Sequence, residues 1–347
     1  MSCRYQPRLT PTPLQLIDTS GQPQFGIFEQ SVPDLNFRQF DFRTVLDKPA
    51  GRLSRFFAQK QFQFVSVCGP DWLLAVAIAD IRYASSGFAY LYQFDQPISE
   101  KGLLLPLQFG CQMSTSPIAG RAKLHAGKTS WSIDPGTEHW QLQVDCGPLQ
   151  ARLILQKQQQ TPLALCAPTG YQGFTYTEKN NALAVKGELS LAGQTFDLEQ
   201  ARAGYDFSAG FMRRQTNWRW ASINTSLNDP AHGKVPFGLN LAAGVNETGL
   251  SENALWFDGK IQHLSPAQFQ FDRYNPQSHW QVRTLCDELQ LRFTPLFCRQ
   301  EKVQAGILAS NFRQYVGFYQ GELCLNDGRV IQIKQCLGLA EDHYAKW

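Results

Sequence analysis

The feature that most constrains this chain is a period-two alternation of apolar and polar residues, repeated between turn signals along most of its length. In HWQLQVD (139–145), Trp140, Leu142 and Val144 fall on one side and Gln141 and Gln143 on the other, the mark of a half-buried strand. CGP follows, then LQARLILQ (149–156). FQFVSV (62–67) and WLLAVAIADI (72–81) are apolar runs joined by CGPD, a turn with Gly69 and Pro70. Short strands at intervals of ~8–12 residues predict an all-β chain, a sandwich or barrel of antiparallel strands with little helix. The 24 Phe, 11 Tyr and 8 Trp favour the same outcome, because large flat side chains pack well on a pleated surface. The best helical candidate is the tail, LAEDHYAKW (339–347).

A chain of 347 residues holds two domains at ~100–200 residues each. The polar stretch QKQQQTPLALCAPTGYQG (156–173) interrupts the strand rhythm with two prolines and two glycines. A boundary placed there divides the chain into 1–165 and 166–347. The strand series on either side have similar length, which suggests an internal duplication without a literal repeat.

Net charge is +3 and Arg213-Arg214 is the longest basic cluster. Nucleic-acid binding needs a clustered excess of cations, so that class is excluded. No segment reaches the ~20 apolar residues of a membrane helix. Nine scattered cysteines contain no CxxC pair and read as free thiols of a reducing cytosol. The opening MSCRYQPRLTPTPLQLID holds no apolar run of signal-peptide type, so a cytoplasmic location is expected and the sequons at Asn224 and Asn246 are read as chance matches. The six histidines form no HxH or HxxxH pair, and no metal site or cofactor is expected. HAGKTS (125–130) lacks the upstream glycine of a phosphate loop, Ala122 standing in its place.

Two segments concentrate chemistry. In GYDFSAGFMRRQTNWRWAS (204–222), a strand over NWRWAS sends Trp218 and Trp220 to one face and Asn217 and Arg219 to the other. The indoles either fill a barrel interior or line a ligand cavity. Asp206 stands before SAG, where a turn is expected. It is a surface cap, an acid raised by an apolar wall, or a carboxylate held by Arg213. In FGLNLAAGVNETGLSENALWFDGK (237–260), Asn240 lies on a strand, while Glu247, Glu252 and Asn253 lie in a loop before ALWFDGK. There, at a barrel mouth, they are placed to touch a ligand. WFDG, with Trp256, signals a type I′ hairpin through Asp258-Gly259.

These residues carry a resemblance. Asp206, Gly210, Arg213, Trp218, Trp220 and Ala221, then Asn240, Leu241 and Gly244, then Glu252, Asn253, Leu255, Trp256, Asp258 and Gly259 resemble a bacterial family known as domain of unknown function 2804. AIADIRY (77–83), RFTP (292–295), SNFRQYVGFYQG (310–321) and GLAEDHYAKW (338–347) extend the likeness over nearly the whole chain. More distantly, Asp before Gly and a WxW strand resembles the carotenoid hydratase and AttH-type group. That resemblance implies two lipocalin-like β domains and chemistry on hydrophobic polyenes. Part of that group has His after the Asp; here Phe207 takes the place, so an Asp–His acid pair is not carried over.

The expected function is binding of a hydrophobic small molecule, lipid or isoprenoid-like, in a barrel or between the halves. Trp218, Trp220 and Trp256 would supply aromatic walls, and Arg213, Asn240, Glu247 and Asn253 polar contacts. Two enzymatic alternatives stay open. One is a hydratase, isomerase or cyclase with Asp206 as general acid and indoles stabilising a cation. The other is a glycan enzyme in which Asp206 and Glu252 or Glu247 are the two carboxylates.

Overall fold

The computed structural model describes residues 5–157, 160–229, 232–245 and 249–347. Strand makes up 62% of the chain and helix 3%, in two curled antiparallel half-barrel sheets. The tail expected as a helix is strand Val330–Lys346. Its alternation places Leu339, Glu341, His343 and Ala345 on one face, and its neighbours Gln215–Asp229 and Leu308–Cys324 hydrogen-bond it on both edges. Paired edges override the helical preference of Ala, Glu and Lys, which is only a weak prior.

Each sheet is a meander closed in the same way. In the first, Gln59–Cys68, Trp72–Asp80, Ala84–Gln93 and Ser99–Pro106 run outward in order, and Gln59–Cys68 pairs on its other edge with Arg202–Phe211. From there the sheet continues backwards through Gly173–Leu191, Leu149–Gln156 and His139–Cys146. In the second, Gln215–Asp229 leads outward to Lys260–His263, and its other edge pairs with the last strand, Val330–Lys346. Leu308–Cys324, Leu289–Ala305, Trp280–Thr284 and Ala267–Gln270 complete it. First long strand beside last, with the break in mid-sequence, is the shared plan of both halves; the short strands Leu9–Thr10 and Gly26–Phe28 of the first sheet stand outside it. The change of sheet falls at residues 212–214, because Leu163–Thr169, Gly173–Leu191 and Arg202–Phe211 all pair within the first sheet. The polar stretch at 156–173 is therefore interior to the first sheet.

Each sheet has a core on one face and a contact surface on the other. Along Gln59–Cys68, Val65 and Val67 enter the first core. Phe64 and Cys68 face the opposite way and join Leu73, Ala75, Phe88 and Tyr90 against Trp220, Val316, Leu337 and Leu339 of the second sheet. Burying a side chain of this size stabilises by about 1.5–3 kcal/mol, so this inter-sheet cluster acts as a third core.

A polar stitch fixes the alignment. The Gly173–Leu191 strand has a register irregularity between Asn180 and Leu183, with Ala182 at φ 62°. The irregularity turns Asn181 across to the second sheet, where its amide donates to Ser222 Oγ (2.8 Å) and Leu239 O (3.0 Å). Ala182 N donates to Asn224 Oδ1 at 2.8 Å, and Asn224 in turn reaches Ser66 of the first sheet. Gly238 makes the approach feasible, since a Cβ there would lie 2.5 Å from Asn181 Cβ.

Candidate functional site

Between the sheets, beside the third core, lies a cavity of about 560 Å3. Its walls follow from strand register. On the first sheet, pairing across three strands aligns Phe64 with Asp206 and Lys179, Phe62 with Ser208 and Thr177, and Lys60 with Gly210 and Thr175. On the second, it aligns Trp220 with Glu341 and Gln314, Trp218 with His343 and Phe312, and Thr216 with Ala345 and Ser310. Of these, only Thr177 and Gly210 lie outside the cavity lining.

Asp206 stands in the middle of Arg202–Phe211 rather than in a turn. Tyr205, Phe207 and Ala209 point into the first core, which sends Asp206 and Ser208 to the cavity face. Small residues in SAG suggested a turn; here they belong to a strand that stays extended between two partners. The partner of Asp206 is Lys179 on the adjacent strand, not Arg213. Glu252 Oε2 lies 3.4 Å from the same ammonium. Burial pulls the Lys179 pKa down, but the charges of Asp206 and Glu252 outweigh it and hold it above the usual lysine value.

On the facing wall the central group is Glu341. Trp218 Nε1 donates to its Oε1 at 2.7 Å and Gln314 Nε2 to its Oε2 at 2.9 Å. The Tyr90 hydroxyl donates to Gln314 Oε1 at 2.7 Å, which fixes the amide with its NH2 towards the carboxyl. Burial nevertheless pushes Glu341 up to about 7, against both hydrogen bonds, with Asp206 adding in the same direction. His343 is edge-on to Trp218 at 4.3 Å and bonds Ser310 Oγ at 3.0 Å. Burial drives it down to about 3, so its ring is neutral near pH 7. Arg299 lies over Phe88 at 4.3 Å and joins Glu100 of the first sheet to Glu301 of the second.

A family match now decides the chain's relations: the family described as a domain of unknown function, DUF2804, matches residues 7–347. The chain belongs to DUF2804. No curated protein matches it. Among solved structures, this DUF2804 chain is similar to kievitone hydratase from Nectria haematococca at 7% identity, with a TM-score of 0.47, over 82% of this chain and 88% of that one. It is also similar to a protein described as an AttH from Nitrosomonas europaea, at 11% identity and TM-score 0.47, over 87% and 98% of the two chains.

The DUF2804 cavity gathers Asp206, Arg213, Trp218, Trp220 and Glu252 from the residues singled out in the sequence. Arg213 also bonds Thr216 Oγ1 and Gly244 O. Three others lie outside the lining. Asn240 accepts from Trp220 Nε1 at 2.7 Å and donates to Glu252 O, so it supports the wall from behind. Asn253 caps Ala242 N and donates to Ser265 O. Trp256 packs with Ile27, Leu163 and Leu165 and donates to Thr161 O. Glu247 lies outside the described residues. Asp258 and Gly259 have φ of 52° and 75°, as the hairpin signal requires. Sequence reading missed Lys60, Lys179, Glu341 and His343. A signal existed for Glu341 and His343, since AEDHYA alternates as a strand once it is not taken for a helix.

Proposed function

We propose that this protein binds a hydrophobic small molecule in the cavity between its sheets. The supporting observation is the wall composition: aromatic rings of Phe62, Phe64, Phe88, Trp218, Trp220 and Phe312 around a few fixed polar groups. About 560 Å3 lies within the ~300–1,000 Å3 of small-molecule pockets, which are mostly apolar with sparse polar contacts. Native mass spectrometry of protein purified from its own host tests the reading. A co-purifying hydrophobic mass is expected; repeated absence of any adduct, together with no quenching of tryptophan fluorescence by apolar probes, would refute it.

A second reading, proton-transfer chemistry on an unsaturated apolar substrate, is favoured by Glu341, whose pKa of about 7 lets it give or take a proton at neutral pH. In this reading Asp206, paired with Lys179, supplies charge beside a developing cation, and Glu341 carries the proton. Turnover in deuterium oxide should then place deuterium on substrate carbon, and Glu341→Gln should lower the rate by about 10²–10⁴-fold. Loss of labelling in Asp206→Asn but not in Glu341→Gln would return the acid role to Asp206. The Lys179 ammonium shared by Asp206 and Glu252 weighs against the glycan reading for that pair of carboxylates; its other pair includes Glu247, which lies outside the described residues.

A further inference from the structure

Lys60 is the unexplained residue of the cavity wall. It lines the cavity and is 3% exposed. Its ammonium donates to Phe57 O and lies 5.3 Å from the centre of the Tyr83 ring. Among the described residues no carboxylate comes within ion-pairing distance of it: Asp80, the nearest acidic influence, is engaged by Arg82 at 3.2 Å. Arg82 and Arg214 both repel it, and Arg213 and Lys346 line the same cavity. Burial, helped by Arg82 and Arg214, lowers Lys60 to about 8. It still carries its charge at pH 7, and a buried ammonium without a counter-ion is costly.

Register shows what space adjoins it. Lys60 is aligned with Gly210, and Gly210 with Thr175. Gly210 presents no side chain between the two, and any Cβ there would strike Phe174 O at 2.1 Å. Lys60 and Thr175 both line the cavity at this level of the strands, and Thr175 is bonded to Thr169, another lining residue, at 2.9 Å. The Asp206–Lys179 rung, which also carries Phe64, lies four residues away along the strands, about 14 Å at ~3.4 Å per residue, with Phe62 on the rung between.

We infer that the ligand is an amphiphile with an anionic head, a carboxylate or a phosphate, which pairs with Lys60 at the end of the cavity lined by Thr169 and Thr175, while its apolar chain runs along the aromatic walls towards Trp218 and Trp220. This rests on the ligand-binding reading above and adds the ligand's chemical class. The anion supplies the counter-charge that the protein withholds. At the opposite end the Lys179 ammonium is already held by Asp206 and Glu252, two carboxylates to one cation, which disfavours an anionic head there.

Four probes of equal chain length test it: dodecanoate, dodecyl phosphate, dodecanol and dodecyltrimethylammonium, each below its micelle concentration, titrated at pH 7 and followed by calorimetry and tryptophan fluorescence. At least one anionic probe should bind about tenfold or more tighter than dodecanol, and the tighter of the two identifies the head group. Lys60→Met should abolish the preference of the anionic probes over dodecanol, and a cooperative thermal melt of the variant certifies that it folds. Should Lys60→Met not fold, the wild-type ranking alone decides. Equal binding of anionic and neutral probes, preference for the ammonium, or an unchanged anionic affinity in Lys60→Met would overturn the inference and leave the cavity reading standing. Failure of all four probes to bind would overturn both.

Discussion

Glu341 and His343 sit two residues apart on one strand face, and burial moves both towards their neutral forms. Their effects on stability have opposite signs. The Glu341 carboxyl titrates at 4.5 when unfolded and about 7 when folded. Between those values the unfolded chain loses its proton first, so stability falls as pH rises, by about 3 kcal/mol in all. His343 titrates at 6.5 unfolded and about 3 folded, so stability rises with pH between 3 and 6.5. The two slopes oppose each other from pH 4.5 to 6.5. Glu341→Gln should uncover the rising histidine slope and make the protein more stable than wild type above pH 7, less about 1 kcal/mol for the lost second acceptor. Thermal melts from pH 4 to 9 measure this; an unchanged pH profile would contradict it. Lys179→Met should act the other way. It strands Asp206 and Glu252 without their shared cation, and breaking a buried pair in this manner costs about 3–5 kcal/mol. Denaturant titration should show that loss, and Asp206→Asn in the same background should recover part of it.

At the scale of elements, the cavity is a product of alternation on strands that are buried on both faces. Arg202–Phe211 sends Tyr205, Phe207 and Ala209 into the first core and Asp206 and Ser208 to the cavity. A shift of register by one residue would exchange the two sets. The irregularity at Asn181 is what holds the sheets at one relative position, through bonds to Ser222 and Leu239 O. Asn181→Ala removes these cross-sheet bonds, at about 0.5–1.5 kcal/mol each. It should lower the melting temperature and also loosen the cavity, seen as weaker probe binding than the stability loss alone explains. Wild-type probe affinity in a folded Asn181→Ala protein would show that the stitch does not govern the cavity.

For the whole molecule, the two sheets share a connectivity but not a sequence repeat, and neither buries its outer face alone. Removing residues 5–211 would uncover Trp220, Val316, Leu337 and Leu339, which now pack on the first sheet. Residues 215–347 expressed alone should therefore bind a hydrophobic dye and elute as oligomers, since an exposed apolar patch of this kind drives association. A monodisperse, dye-free fragment would show that the third core is dispensable.

The sequence by itself determined the all-β class, the strand faces of Trp218 and Trp220, and the Asp258–Gly259 hairpin. Each follows from chemistry within a few residues: a period of two, or a turn that needs positive φ. It also placed Asp206, Trp218 and Trp220 in one segment, although the turn assigned to Asp206 is a strand. Only the tertiary structure decided that these residues face a space between two sheets rather than a barrel interior. It alone gave Asp206 the Lys179 partner, 27 positions earlier in the chain, and set Glu341 and Lys60 in the same walls. Whether a lysine or glutamate is a solvated surface charge or a buried one depends on what the next strand and the other sheet bring over it. That is fixed by long-range pairing, such as Gln59–Cys68 with Arg202–Phe211, which no local pattern of residues encodes.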